Sequence, residues 1–116
     1  MPPHKSKSAP AEGSSVYEAL CDLGESDATA AVLAALIEQG PSLIKDIAVY
    51  SGWSIPAVSQ ELAELEEIGW VSREKVPNMK RGRDPYEYRL EITKTEMGRF
   101  YRDRVKERLK TIESAF

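Results

Sequence analysis

The sequence predicts a mainly α domain with one small β-hairpin, an α+β fold, followed by a long C-terminal helix. Apolar residues recur every three or four positions from Val16 to Ile68. After Gly69 that period is lost, and from Tyr86 to Ile92 the spacing becomes two. From Met97 to Phe116 it returns to three or four. Spacings near 3.6 place side chains on one face of a helix, and a spacing of two places them on one face of a strand.

The segment Met1–Ser15 holds three of the seven prolines, with Ser, Lys and Gly and almost no apolar residue. It cannot bury enough surface to offset the entropy of ordering, so a disordered tail is expected over 1–15. Val16–Leu23 is a short apolar segment ended by Gly24. Ser26 and Asp27 then offer N-caps for a helix through Gln39, with the stripe Val32, Leu33, Leu36 and Ile37. Gly40-Pro41 stops that helix. Ser42 is expected to cap the next one, which carries Leu43, Ile44, Ile47 and Ala48. After the break at Ser51-Gly52-Trp53, Ser54 caps a third helix. Pro56 falls in its first turn, where a missing N–H costs nothing. Ala57, Val58, Leu62, Leu65 and Ile68 form its expected buried stripe, and Gly69 ends it.

Trp70, Val71, Arg73, Lys75 and Val76 fit one strand, and Tyr86 to Ile92 alternate as a second. The polar, turn-rich stretch 77–85 joins them as a hairpin loop. From Thr93 a last helix is expected to run nearly to the C-terminus. Domain boundaries follow as a tail over 1–15, a folded unit over 16–92 and a separate helix over 93–116.

Composition limits the function. The 116 residues fit one domain. No apolar run approaches the roughly 20 residues of a membrane helix, and no apolar stretch follows Lys5 and Lys7 as a signal peptide would require. Cys21 is the single cysteine, so the expected compartment is the cytoplasm. His4 has no metal-ligand neighbour, and the glutamates of the third helix lack a histidine among them, so no metal and no cofactor are expected. No phosphate-binding glycine loop or nucleophile motif is present, which argues against an enzyme. Trp53, Trp70, Tyr86 and Tyr88 read as packing residues.

Net charge is −3, but it is unevenly divided. Residues 16–72 carry ten anions and one cation, whereas residues 73–116 carry thirteen cations and eight anions. The C-terminal part is therefore the part suited to phosphate.

Two helices joined by a tight Gly-containing turn form a helix-turn-helix, here Ser42 to Gly69. The outer face of the third helix, residues 54–68, begins with Ser54, Ile55, Pro56 and Ala57 and continues with Ser59 and Gln60. Serine and glutamine hydrogen-bond base edges, and Ile55 or Ala57 suits a thymine methyl. A hairpin after such a helix is a wing. Its tip carries Lys80, Arg81 and Arg83 around Gly82, with Arg73 and Lys75 on the strand leading to it. Flexible cations there suit the phosphate backbone or a minor groove.

The stretch SGWSIPAVSQELAELEEIGWV (51–71) and the wing KRGRDPYEYRL (80–90) resemble the winged helix-turn-helix transcription regulators of archaea and bacteria. The resemblance is nearest to the TrmB-like group, with MarR and PadR proteins more distant, and covers residues 16–92. It implies a regulator on double-stranded DNA, associated with the nucleoid, with base contacts at Ser54, Ile55, Pro56, Ala57, Ser59 and Gln60 and phosphate contacts on the wing. TrmB-like proteins often carry a sugar-binding domain as well, for which 116 residues leave no room.

One feature departs from that pattern. The third helix has no Lys or Arg and carries Glu61, Glu64, Glu66 and Glu67. Arg to guanine, the commonest specific base contact, is therefore closed to it. The alternative reading is a winged helix that binds protein, with this acidic helix facing the partner. In the last helix Met97, Tyr101, Val105, Leu109, Ile112 and Phe116 form an apolar stripe between cations. That stripe is expected to pair with a second copy as a homodimer, setting two recognition helices about 34 Å apart.

Overall fold

Short hydroxyl side chains start four of the five described helices. The computed structural model describes residues 13–77 and 85–116. It contains α1 (Ser15–Asp22), α2 (Asp27–Gln39), β1 (Ser42–Leu43), α3 (Ile44–Ser51), α4 (Ile55–Glu67), β2 (Val71–Lys75), β3 (Tyr86–Leu90) and α5 (Lys94–Ala115). The hydroxyls of Ser14, Ser26 and Ser54 accept from the amides of Tyr17, Thr29 and Ala57 at 3.1, 3.2 and 3.3 Å. Each satisfies one of the amides that a helix start leaves unpaired. At α5 the bond is reciprocal. Thr93 Oγ1 accepts from the Glu96 amide at 3.1 Å, and Glu96 Oε1 accepts from the Thr93 amide at 2.9 Å.

The exception corrects the reading of Ser42 as a cap. Leu43 occupies the N-cap of α3, with no side-chain cap bond. Ser42 belongs instead to β1, and its hydroxyl donates to the Gly40 carbonyl at 2.8 Å. A two-residue strand shows no period, so β1 is invisible to pattern. Its presence turns the expected hairpin into a three-stranded antiparallel sheet of order β1-β3-β2. Ser42 pairs with Tyr88, Arg73 with the same Tyr88 from the other side, and Lys75 with Tyr86. The Val76 amide donates to the Pro85 carbonyl at 2.8 Å, which carries the ladder one step beyond the strands.

At the start of the chain, α1 reaches back past the expected boundary at Val16, with Ser14 as its cap. Residues 1–12, most of the expected tail, lie outside the described residues.

The core forms around α2. Every residue from Ala30 to Leu36 is buried, not just one stripe. Helices α1, α3 and α4 and strand β3 all pack on it. Alanines at 30, 31, 34 and 35 provide the small surfaces that let neighbours approach from several sides. Leu20, Ile47, Val58, Leu62, Leu65, Val71 and Tyr88 complete the cluster. Two residues assigned to buried stripes are exposed instead. Ile37 lies on the last turn of α2, past its packed stretch. Ile68 follows the end of α4 and is 61% exposed, because the chain turns at Gly69 before it can reach the core.

Helix α5 behaves differently from the rest. Its 22 residues span about 33 Å, yet Tyr101 is its one fully buried side chain. Near its start the rings of Trp70, Phe100 and Tyr101 meet edge to face, with centroids 5.0, 5.1 and 6.0 Å apart. Beyond Arg108 the last turns of the helix are exposed, and the described residues measure 62 × 29 × 24 Å.

Leu33→Ala leaves a void in a helix covered on all sides, and urea unfolding should register a loss of roughly 2–5 kcal/mol. The amide and hydroxyl of Thr93 hold the Glu96 carboxyl below its ordinary value. A carboxylate whose acidity is raised by folding adds stability above its unfolded pKa, and that stability is lost as pH falls through the folded one. The stability difference between the wild type and Glu96→Gln should therefore be largest near neutrality and vanish in acid. A difference independent of pH would exclude the ionised cap.

Candidate nucleic-acid interface

The turn between α3 and α4 positions the candidate reading surface. Gly52 takes a left-handed conformation, φ 79° and ψ 7°, in which a side chain is strained. Its amide donates to the Ala48 carbonyl at 2.9 Å. The buried Ser51 hydroxyl donates to the same carbonyl at 3.3 Å and accepts from the Trp53 amide at 3.3 Å. These bonds fix the direction in which Ser54 starts α4.

Burial of Val58, Leu62 and Leu65 then decides which way α4 faces. Ser54, Ile55, Pro56, Ser59 and Gln60 are exposed on the other side, and Ala57 is half-buried. All six expected base-contact residues thus gather at one end of α4. Ser54 already uses its oxygen as an acceptor, which leaves its O–H as a donor. The first turn holds no acidic residue, so the positive end of the helix dipole is not neutralised by a side chain there.

The acidic end of α4 is partly turned inward. Glu61 accepts from Thr29 Oγ1 of α2 at 2.8 Å. Glu66 pairs with Arg73 Nε of β2 at 3.5 Å. Glu64 and Glu67 remain exposed. Arg73 therefore has internal partners: Glu66, and the ring of Tyr86, which its guanidinium covers at 4.4 Å. Its hydrogen bond to Tyr88, followed by the charge of Glu66, raises its pKa further. Lys75, at the hairpin end of β2, is exposed. Lys80, Arg81 and Arg83 lie outside the described residues. On the opposite face of the sheet Glu74 stands across from Glu87, and Arg89 Nη2 donates to both, at 3.3 and 3.1 Å.

The expected dimer stripe divides in two. Met97 and Tyr101 pack into their own domain. Val105, Leu109, Ile112 and Phe116 are exposed. An apolar groove of about 600 Å³ lies beside the start of α5, lined by Val16, Leu20, Leu23, Ile37, Ile92 and Met97 among others.

The seat of α5 leaves no mark in the sequence pattern. The Tyr101 hydroxyl donates to Glu25 Oε2 at 2.6 Å, and Arg104 Nη1 approaches the same oxygen at 3.4 Å. Burial, then Glu25, pushes the Tyr101 phenol well above its usual pKa, so it stays a donor. Arg108 lies over Gly24, where an added Cβ would come within 2.9 Å of its Nη1. The three α5 residues are spaced to share one helix face, but nothing in the sequence pairs that face with the turn after α1.

Among the described residues no group of three or more His, Cys, Asp or Glu could hold a metal ion. None of the described helices is long and apolar enough to cross a membrane. Cys21 is half-buried, and its thiol donates weakly to Asp27 Oδ1 at 3.7 Å.

The sequence profile of the sugar-specific transcriptional regulator TrmB matches residues 20–91. The chain belongs to the TrmB family. Solved structures repeat the winged helix-turn-helix fold. A possible transcriptional regulator from Methanosarcina mazei Go1 superposes with a TM-score of 0.60 at 14% identity, over 82% of this chain and 79% of that one. NMB1585, a MarR family regulator from Neisseria meningitidis, gives 0.53 at 18% identity, over 84% and 64%. NadR, solved in complex with 4-hydroxyphenylacetate, gives 0.55 at 24% identity, over 85% and 69%. No curated protein matches the sequence. The family is one of transcriptional regulators, not of enzymes.

Proposed function

We propose that this TrmB-family regulator binds double-stranded DNA as a homodimer, reading sequence with the first turns of α4. The observation that carries the reading is the division of α4. One face is locked into the core by Val58, Leu62 and Leu65, while Ser54, Ile55, Pro56, Ser59 and Gln60 stand exposed together at its N-terminal end. In this reading that end enters the major groove with Ala57 beside a thymine methyl.

Affinity must come from elsewhere, because α4 carries no cation. Lys75 and the wing residues Lys80, Arg81 and Arg83 supply it on the backbone or in the minor groove. Arg73 is the weaker candidate, since a phosphate would have to draw it from Glu66 and Tyr86. The partners of Glu61 and Glu66 support the reading, because Thr29 engages one carboxylate and Arg73 offsets the charge of the other. The exposed Val105, Leu109, Ile112 and Phe116 form the dimer seam. The protein acts in the cytoplasm, on the nucleoid.

Fluorescence anisotropy with random duplex DNA tests the binding. Affinity should fall steeply with salt, from non-specific dissociation constants of about 10⁻⁴–10⁻⁶ M. Changing Lys80, Arg81 and Arg83 together to Ala should weaken binding to all sequences and flatten the log–log salt slope by roughly three per wing. Absence of binding at low salt would instead favour a protein-binding winged helix. For the seam, light scattering should give twice the 13.0 kDa chain mass, and Leu109→Glu with Ile112→Glu should return it to 13.0 kDa. An unchanged mass in the double variant would move the seam away from α5.

A further inference from the structure

We infer that Glu25, through Tyr101 and Arg104, sets the angle at which α5 leaves the domain, and with it the separation of the two α4 helices in the dimer. This rests on the dimeric reading above and adds the residues that determine half-site spacing.

The two halves of α5 have different surroundings. Residues 97–108 sit against the domain, through Met97, the Trp70 ring cluster, Glu25 and Gly24. The remaining turns are exposed, with Leu109 at 54% and Ile112 at 58%. A continuous helix transmits any tilt at its seat to its far end. From Tyr101 to Phe116 the lever is about 22 Å, so a tilt of about 10° moves the end about 4 Å. That is about the 3.4 Å step of one base pair along a DNA strand. A seam made by the far half therefore places the α4 helices in register with DNA only if the seat resists small rotations.

Apolar contacts at the seat do not give that resistance. Edge-to-face rings tolerate rotation over a broad range of centroid distances. The bonds to Glu25 are directional, and both donors converge on one carboxylate oxygen. Glu25 itself is firmly placed. Its amide donates to the Leu20 carbonyl at 3.1 Å, and the next residue, Ser26, caps α2. From there the hydroxyls continue toward α4: Ser26 Oγ donates to Thr29 Oγ1 at 2.9 Å, and Thr29 Oγ1 donates to Glu61 at 2.8 Å. The seat of α5 and the reading helix thus share one polar framework.

The test is an inter-protomer distance in the full-length dimer, free of DNA. Ser59→Cys in a Cys21→Ser background carries a nitroxide, and pulsed electron spin resonance measures the label-to-label distance. With the seat intact, one narrow distance is expected. Tyr101→Phe keeps the ring packing and removes the hydroxyl; Glu25→Gln keeps an acceptor and removes the charge. Both should lose the single narrow distance, with molar mass and circular dichroism unchanged, and Tyr101→Phe should also accept DNA half-sites over a wider range of spacings. If the narrow distance survives in both variants while the dimer persists, the inference is wrong. Conversion of both variants to monomers would also overturn it, by placing Glu25 in the seam itself. Absence of any inter-protomer distance before mutation would refute the dimeric reading, and this inference with it.

Discussion

Seven consecutive residues of α2 lie beneath other elements, and a helix accepts that only if its neighbours come close on every side. The alanines at 30, 31, 34 and 35 make this possible, and Val32, Leu33 and Leu36 fill the space between the neighbours. The rest of the fold follows from that burial. Helix α4 must turn Val58, Leu62 and Leu65 toward α2, so the opposite face, with Ser59 and Gln60, has to point outward. Strand β3 packs on α2 as well, and this aims the hairpin beside α4. The exposed end of α4 and strands β2 and β3 are therefore held in place by apolar packing beneath them.

Charge is arranged with the same economy. An acidic helix is a poor partner for phosphate, yet two of its four glutamates have partners within the chain: the half-buried Glu61 accepts from Thr29, and Glu66 pairs with Arg73 at the surface. Another potential repulsion, Glu74 across from Glu87, is bridged by Arg89. Like charges directly opposite in a sheet are destabilising, and one shared guanidinium relieves them. Counting charges along the chain cannot distinguish a glutamate that meets solvent from one that accepts a hydroxyl thirty-two residues away.

Helix α5 belongs to both parts of the molecule. Its first half is a piece of the domain, and its second half carries exposed apolar side chains that pack on no other element among the described residues. The apolar stripe from Met97 to Phe116 looks continuous in sequence, but Met97 and Tyr101 are spent on the intrachain seat. The seat is small, and its polar part rests on one carboxylate. Tertiary geometry thus converts a uniform repeat into an anchor followed by an arm.

The sequence by itself determined four of the described helices, α2 to α5, the caps at Ser26 and Ser54, the two long strands and the cluster of short polar residues at the start of α4. These are local properties. A period, a capping hydroxyl or a positive-φ glycine acts within a few residues, and so it can be read from neighbours in the chain. The extent of burial around α2, the strand β1, the exposure of Ile68, the partners of Glu61, Glu66 and Arg73, and the Glu25 seat were decided only by the tertiary structure. Each depends on which distant segment arrives at the same place, and a pattern confined to one helix or strand carries no record of that.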